Sequence, residues 1–141
     1  MGDVRIASYW ELGWNTPILE ISLWEFPLKD FGVEKDHLYM SPISGINHKV
    51  NERENLEEIL KENEDYTKVF CDERANCSLL NFEHPKKALY IFGRTNFSPF
   101  LSLKKENDLS VSIETCGSTG MAWGHQAASI VLYDRMIKIG N

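Results

Sequence analysis

The chain carries three cysteines, Cys71, Cys77 and Cys116, without a CxxC spacing, and its histidines (His37, His48, His84, His125) stand at no ligand-like interval from any of them. A structural zinc site wants four ligands, usually paired at short spacing, so the sequence encodes none. Reduced, buried thiols are the expected state of the cysteines. No apolar run reaches the roughly 18 residues that a membrane helix needs. The opening MGDVRIASYWEL lacks the basic-then-apolar layout of a secretory signal. The expected address is therefore cytoplasmic. GxSxG, HExxH, a Walker loop and GxGxxG are all missing, which removes the self-contained catalytic signatures. Repeats, low-complexity tracts and linkers are missing too.

Positive charge is scarce. Fifteen Lys and Arg face 21 Asp and Glu, for a net charge of −6. Phosphate contacts need Lys and Arg, so the balance argues against an autonomous nucleic-acid binder. The deficit is uneven. Residues 1–83 hold 8 basic and 17 acidic groups, whereas residues 84–141 hold 7 and 4. An anionic ligand is expected to prefer the C-terminal half, although a solvated acidic helix near residue 57 accounts for much of the asymmetry by itself.

What is present is enough for one packed core. The 141 residues are 43% hydrophobic and 26% charged, the profile of a single globular domain. Short apolar runs at Val4–Tyr9, His37–Met40, Thr67–Cys71, Ala88–Phe92 and Leu109–Ile113 predict five strands. Ala88–Phe92 is apolar throughout, as in a parallel strand covered on both faces. An apolar run from Ile18 towards Phe31 predicts a helix that Pro27 should end or kink, with Gly32 as its C-cap. Its apolar residues form two stripes, Ile18 with Ile21, and Leu19 with Leu23 and Phe26. Residues 47–65 read as a polar amphipathic helix with Leu56, Ile59 and Leu60 buried. A short helical piece is expected near Cys77–Leu80, another opening at Ser98-Pro99-Phe100, and a long helix from Met121 to Ile139. Strands alternating with helices call for an α/β fold, a five-stranded and largely parallel sheet with helices on both faces.

In such a sheet, ligands bind beyond the carboxyl ends of the strands. Phe92-Gly93-Arg94-Thr95-Asn96 follows the fourth predicted strand and Glu114–Gly120 the fifth. Both loops are small or polar, so backbone groups can approach a ligand closely. The second feeds a helix N-terminus, where unpaired N–H groups accept polar or anionic groups. By themselves these loops read equally well as ordinary tight connections.

Three blocks in order give the loops a family context. VRIASYW, Trp14-Asn15-Thr16-Pro17, ILEISLWEFPLKDFGV and HLYMSP make the first; ALYIFG is the second; LSVSIETCGSTGMAWGHQAASIVLYDR, closing on Leu132-Tyr133-Asp134, is the third. Over residues 4–137 the chain resembles the SPOUT methyltransferase superfamily, at the size of its smallest single-domain members. The resemblance implies a C-terminal trefoil knot, an exception to the rule against knots. It implies S-adenosylmethionine as cofactor, bound mostly through backbone at positions matching Tyr90, Phe92, Gly93, Ile113, Met121 and Ala122. It also implies a homodimer through the first and last helices, where the apolar faces of Ile18–Phe26 and Ile130–Ile137 fit. The same faces fit a monomer core. RNA, tRNA or rRNA ribose, is the implied substrate.

The match departs at three positions. The branch that methylates ribose 2′-hydroxyls has an arginine in the first helix, which falls at Ile21 or near Glu25-Phe26 here. Its glutamate after Phe-Gly falls at Thr95, and its asparagine opening the last helix falls at Trp123. Activating a hydroxyl needs a base or a positioned cation. Arg94 and His125 are the candidate replacements, Arg94 for a phosphate or the cofactor carboxylate and His125 as proton acceptor. At the start of a helix, the macrodipole should keep His125 neutral; a local hydrogen-bonding role is the alternative. Trp123, with Trp10 and Trp14 flanking the first loop, reads as a stacking platform or as interface. Glu114 reads as a partner for the sulfonium or as a solvated loop carboxylate. Two functions stay open: an RNA methyltransferase, working alone or with a basic partner protein, and an inactive SPOUT-like module that binds a nucleotide-like ligand or a protein.

Overall fold

In a computed structural model, the described residues are 2–9, 17–41, 43, 50–93, 102–117 and 123–140. The strands are β1 (Val4–Tyr9), β2 (Leu38–Ser41), β3 (Asn51–Glu52), β4 (Thr67–Cys71), β5 (Ala88–Phe92) and β6 (Leu109–Val111). The helices are α1 (Pro17–Asp30), α2 (Leu56–Glu62) and α3 (Gly124–Ile139), with 3-10 turns at Lys35–His37 and Leu79–Asn81. All strand pairings are parallel, in the order β3-β2-β1-β5-β4-β6. The α/β reading therefore holds, with six strands in place of the expected five. The additional strand is two residues long: Asn51 and Glu52 pair with Tyr39 and Met40 at the sheet edge. Such a strand has no hydrophobic pattern to announce it, because its pairing is made by backbone.

The same pairing shortens the helix expected over residues 47–65. Asn55 takes an extended conformation and its side chain accepts from Glu58 N at 3.0 Å, starting α2 there. Leu56 and Ile59 are buried as expected, and Leu60 packs partly buried beside them. The second strand begins one residue late because His37 belongs to the 3-10 turn before it. The helical piece expected near Cys77–Leu80 is the 3-10 turn at Leu79–Asn81, while the Ser98–Phe100 region lies outside the described residues.

Pro27 does not end α1. The helix runs on to Asp30 and closes in a left-handed cap at Gly32 (φ 65°), where Val33 N donates to Leu28 O at 2.9 Å and Gly32 N to Lys29 O at 3.4 Å. This is the Schellman arrangement, with buried Leu28 and Val33 supplying its apolar contact. Proline removes one donor, but the last turn is held by the bonds that follow it.

Alternation along the strands divides the core. Val4, Ile6, Leu38, Met40, Val69, Tyr90 and Phe92 pack beneath α1 and α3 with Trp24, Leu28, Ala128, Val131 and Leu132. Ala7, Tyr39, Phe70, Leu89 and Ile91 meet Leu56 and Ile59 of α2 on the opposite face. β5 lies between β1 and β4 and is buried along its whole length, as its unbroken apolar run predicts. The segments 94–101 and 118–122, which a knot would involve, lie outside the described residues.

Candidate functional site

Strand order fixes where a site can form. The chain leaves β1 outward to β2 and β3, then crosses to the other side for β4, β5 and β6. The order reverses between β1 and β5, and the crevice outside the carboxyl ends at such a point is where open α/β sheets bind ligands. Ser8 pairs with Phe92 here, so Tyr9 and Gly93 follow at the carboxyl ends of two neighbouring strands.

Trp24 joins this rim to the last helix. Fully buried in α1, its ring lies 5.9 Å from that of Phe92, and it crowds the first residue of α3. A Cβ placed on Gly124 would stand 3.2 Å from Trp24 Cζ2 and 3.3 Å from Phe92 Cβ. Glycine is thus what lets α3 begin directly against the end of β5. Trp123 precedes that first turn and gives it no side-chain cap.

Two ionisable side chains meet the same indole. Glu20, in the first turn of α1, is buried and accepts from Trp24 Nε1 at 3.2 Å. A buried carboxylate needs such donors, and the positive end of α1 adds to them. His125, in the first turn of α3, sets its ring edge-on to Trp24 with centroids 6.5 Å apart, and 5.9 Å from the ring of Trp123. Burial pushes the His125 imidazole below its ordinary range, and the negative charge of Glu20 opposes that shift. Its Nδ1 is buried with no hydrogen-bond partner among the described residues. The ring opens onto a shallow groove between α1 and α3, lined by Leu23, Phe26, Pro27, Trp123 and Ile130.

At the neighbouring strand ends, Asp72 follows β4 and ties it to β6 by donating its N–H to Val111 O at 3.0 Å. Its carboxylate, almost wholly enclosed, accepts from Arg74 N, Nε and NH2 at 2.8, 2.9 and 3.1 Å. The pair pins a half-exposed guanidinium at the carboxyl rim.

Below the rim, a polar network fastens α3 to the sheet. Asp134 accepts from Lys138 Nζ at 2.9 Å and lies 2.7 Å from His84 Nε2, so this nitrogen carries a proton. In the neutral ring Nδ1 is then the acceptor for the Tyr90 hydroxyl at 2.7 Å, while Arg135 donates to the Tyr90 oxygen at 3.0 Å. Arg135 also donates to Pro85 O and Lys86 O, at 2.6 and 2.7 Å. Burial pushes the His84 ring below its ordinary range against the pull of Asp134, and burial pushes the Tyr90 phenol up to about 12.

The expected site residues fall into three groups. Phe92, Gly93 and His125 come together at the end of β5 and the start of α3. The Phe92 ring belongs to the core and its backbone pairs with Ser8 and Cys71 at the end of β5, while the Tyr90 phenol is committed to the network. Ile113 sits just beyond β6, partly buried against the core cluster that also holds Trp24 and Phe92. Arg94, Met121 and Ala122 lie outside the described residues, as do Trp10, Trp14 and Thr95. Neither candidate register of the first-helix arginine is basic. Ile21 packs against the core, Glu25 pairs with Lys35 at 2.7 Å, and Phe26 is exposed. Sequence reasoning missed Glu20, Trp24, Asp72 and Arg74. The i,i+4 spacing of Glu20 and Trp24 was a usable signal, since it places them on one face of a helix. Asp72 and Arg74 carried none beyond following a strand. Among the described residues there is no group of His, Cys, Asp and Glu fit for a metal ion, and no helix long and apolar enough to cross a membrane.

No protein-family model matches the sequence, and no curated sequence matches it significantly. Solved structures do match the fold. A Bacillus anthracis protein described as an RNA methyltransferase superposes with a TM-score of 0.71 at 17% identity, covering 95% of this chain and 92% of its own. The SpoU methyltransferase AviRb from Streptomyces viridochromogenes, solved in complex with AdoMet, gives 0.72 at 17% identity over 99% of this chain, which spans 60% of AviRb. The TrmH/SpoU tRNA modifying enzyme of A. aeolicus gives 0.72 at 15% identity, covering 98% of this chain and 76% of that one. At these identities the likeness is one of fold.

Proposed function

We propose that this chain, which has the SPOUT fold of the SpoU and TrmH methyltransferases, is an S-adenosylmethionine-dependent RNA methyltransferase acting on a tRNA or rRNA ribose 2′-hydroxyl. The observation that supports the reading is the meeting of Phe92, at the end of β5, with the first turn of α3 through Gly124 and Trp24, beside the point where the strand order reverses. The residues fit the cofactor in kind. The rim offers backbone, glycine and first-turn N–H groups with no competing side-chain cap, which suits a ligand held mostly by main-chain contacts. Phe92, Gly93, Ile113, Met121 and Ala122, with the backbone of Tyr90, form the proposed cradle. S-adenosylmethionine, when bound, supplies a methyl group on a sulfonium: an O–CH3 bond forms as the S–CH3 bond breaks, its electron pair remaining on sulfur.

The chain's own tasks are positioning and proton removal. Holding the hydroxyl in line with the methyl group is the larger part. His125 takes the hydroxyl proton. Arg94 engages a phosphate or the cofactor carboxylate, and Arg74, pinned by Asp72, adds positive charge on the same rim. Apolar residues exposed on α1 and α3, among them Phe26 and Ile137, support a homodimer.

A binding module without transfer activity is the second reading, favoured by the non-basic Ile21, Glu25 and Phe26 on α1. Calorimetric titration with S-adenosylmethionine and S-adenosylhomocysteine is the first test, with micromolar binding expected. No binding by the folded protein would overturn the methyltransferase reading. Binding without transfer of labelled methyl to bulk RNA would leave the module.

A further inference from the structure

Glu20 is a buried carboxylate in the first turn of α1, and burying a charge is costly unless it is hydrogen-bonded or paired. α1 and α3 bring it to the same indole as His125. Glu20 accepts from Trp24 Nε1 at 3.2 Å, and the His125 ring stands edge-on to the Trp24 ring at 6.5 Å. Trp24 is held in turn by Phe92 and by the close approach of Gly124, so neither first turn can shift without displacing the indole.

We infer that Glu20 is the positioning residue for His125, a buried carboxylate held against the same indole as the imidazole at the junction of α1 and α3. The inference rests on the methyltransferase reading for its place in a reaction, but the Glu20–His125 coupling itself does not depend on it. Burial and the positive end of α3 both disfavour the imidazolium. A ring left to those two influences would be a poor acceptor. Glu20 opposes them, and it is the charged group acting on the ring among the described residues. The remaining neighbours are uncharged: Trp24, Leu23 and Pro27 from α1, and Trp123, Gln126 and Ser129 around the start of α3. In the reaction, the proton leaving the ribose hydroxyl goes to the imidazole and then to solvent. The Glu20 carboxylate offsets the transient charge on the ring.

The test is the titration of His125, followed by its imidazole resonances in the full-length wild-type chain and in Glu20→Gln. Glutamine keeps the acceptor for Trp24 Nε1 and removes only the charge. The midpoint is expected to move to lower pH in Glu20→Gln and to stay near wild type in Glu20→Asp, which serves as the charge-retaining control and the second variant should glutamine not fold. A midpoint unchanged in a folded Glu20→Gln would overturn the inference. With methyl transfer established, the rising limb of the kcat/KM–pH profile should move to lower pH in Glu20→Gln, and His125→Ala should cost about 100-fold or more. A limb that stays in place would overturn it as well. Should the wild type transfer no methyl to any RNA, the methyltransferase reading fails, while a shifted His125 midpoint still upholds the pairing.

Discussion

Arg135 and His84 are polar side chains enclosed where apolar ones would pack; both ring nitrogens of His84 and both terminal nitrogens of Arg135 are paired, while Arg135 Nε has no hydrogen-bond partner among the described residues. The Arg135 guanidinium caps two carbonyls of the turn before β5 and reaches the Tyr90 hydroxyl; His84 spans from that hydroxyl to Asp134. The groups facing His84 are thus Asp134, Tyr90, Arg135 and Lys138, and burial outweighs the carboxylate in lowering its affinity for a proton. An unfolded chain takes up a proton at His84 near the usual histidine pKa of about 6.5, whereas the folded ring does so only at lower pH. Acid therefore draws the chain towards the unfolded state: this part of the stability is complete above about 6.5 and declines as pH falls through the folded value. Urea unfolding at pH 7.5 and 5.5 should show that loss, and His84→Gln should flatten it. An equal pH response in the two proteins would rule His84 out as its source. The residue was legible only as a scattered histidine, because its partners lie 6 and 50 positions away.

α1 is the element on which sequence and structure differ most. Its apolar residues were read as two stripes, yet the helix turns Trp24, Pro27 and Leu28 inward with Glu20, and leaves Ile18, Leu19 and Phe26 exposed. A helix apolar nearly all round gives no periodic signal to choose its buried face. Its end was legible where its middle was not. Gly32 was expected as the cap and takes φ 65°, the left-handed conformation that a Cβ disfavours. Gly32→Ala should cost about 1 kcal/mol and lower the Tm by about 3–5 °C. Thermal melts check this, and an unchanged Tm would mean that the Leu28–Val33 closure does not depend on the left-handed residue. In α3 the Leu-Tyr-Asp signature separates by role: Leu132 packs in the core, Tyr133 faces outward, and Asp134 holds His84 and Lys138.

For the whole molecule, the exposed apolar residues Ile18, Leu19 and Phe26 of α1 and Tyr133, Met136 and Ile137 of α3 call for a cover. The proposed homodimer supplies one, with helices contributed by both copies. Light scattering should give twice the chain mass, and Phe26→Asp or Ile137→Asp should give the single-chain mass with unchanged circular dichroism. A wild type that is monomeric at micromolar concentration would set the dimer aside. The sequence by itself determined the alternation of strands and helices, the buried central run Ala88–Phe92 and the cap at Gly32, because periodicity and φ restriction are local properties of a chain. Only the tertiary structure decided the two-residue strand at the sheet edge, the inward face of α1, and the meeting of Glu20 with His125 on Trp24. Those depend on backbone pairing and on contacts between residues about a hundred positions apart, which no local pattern records.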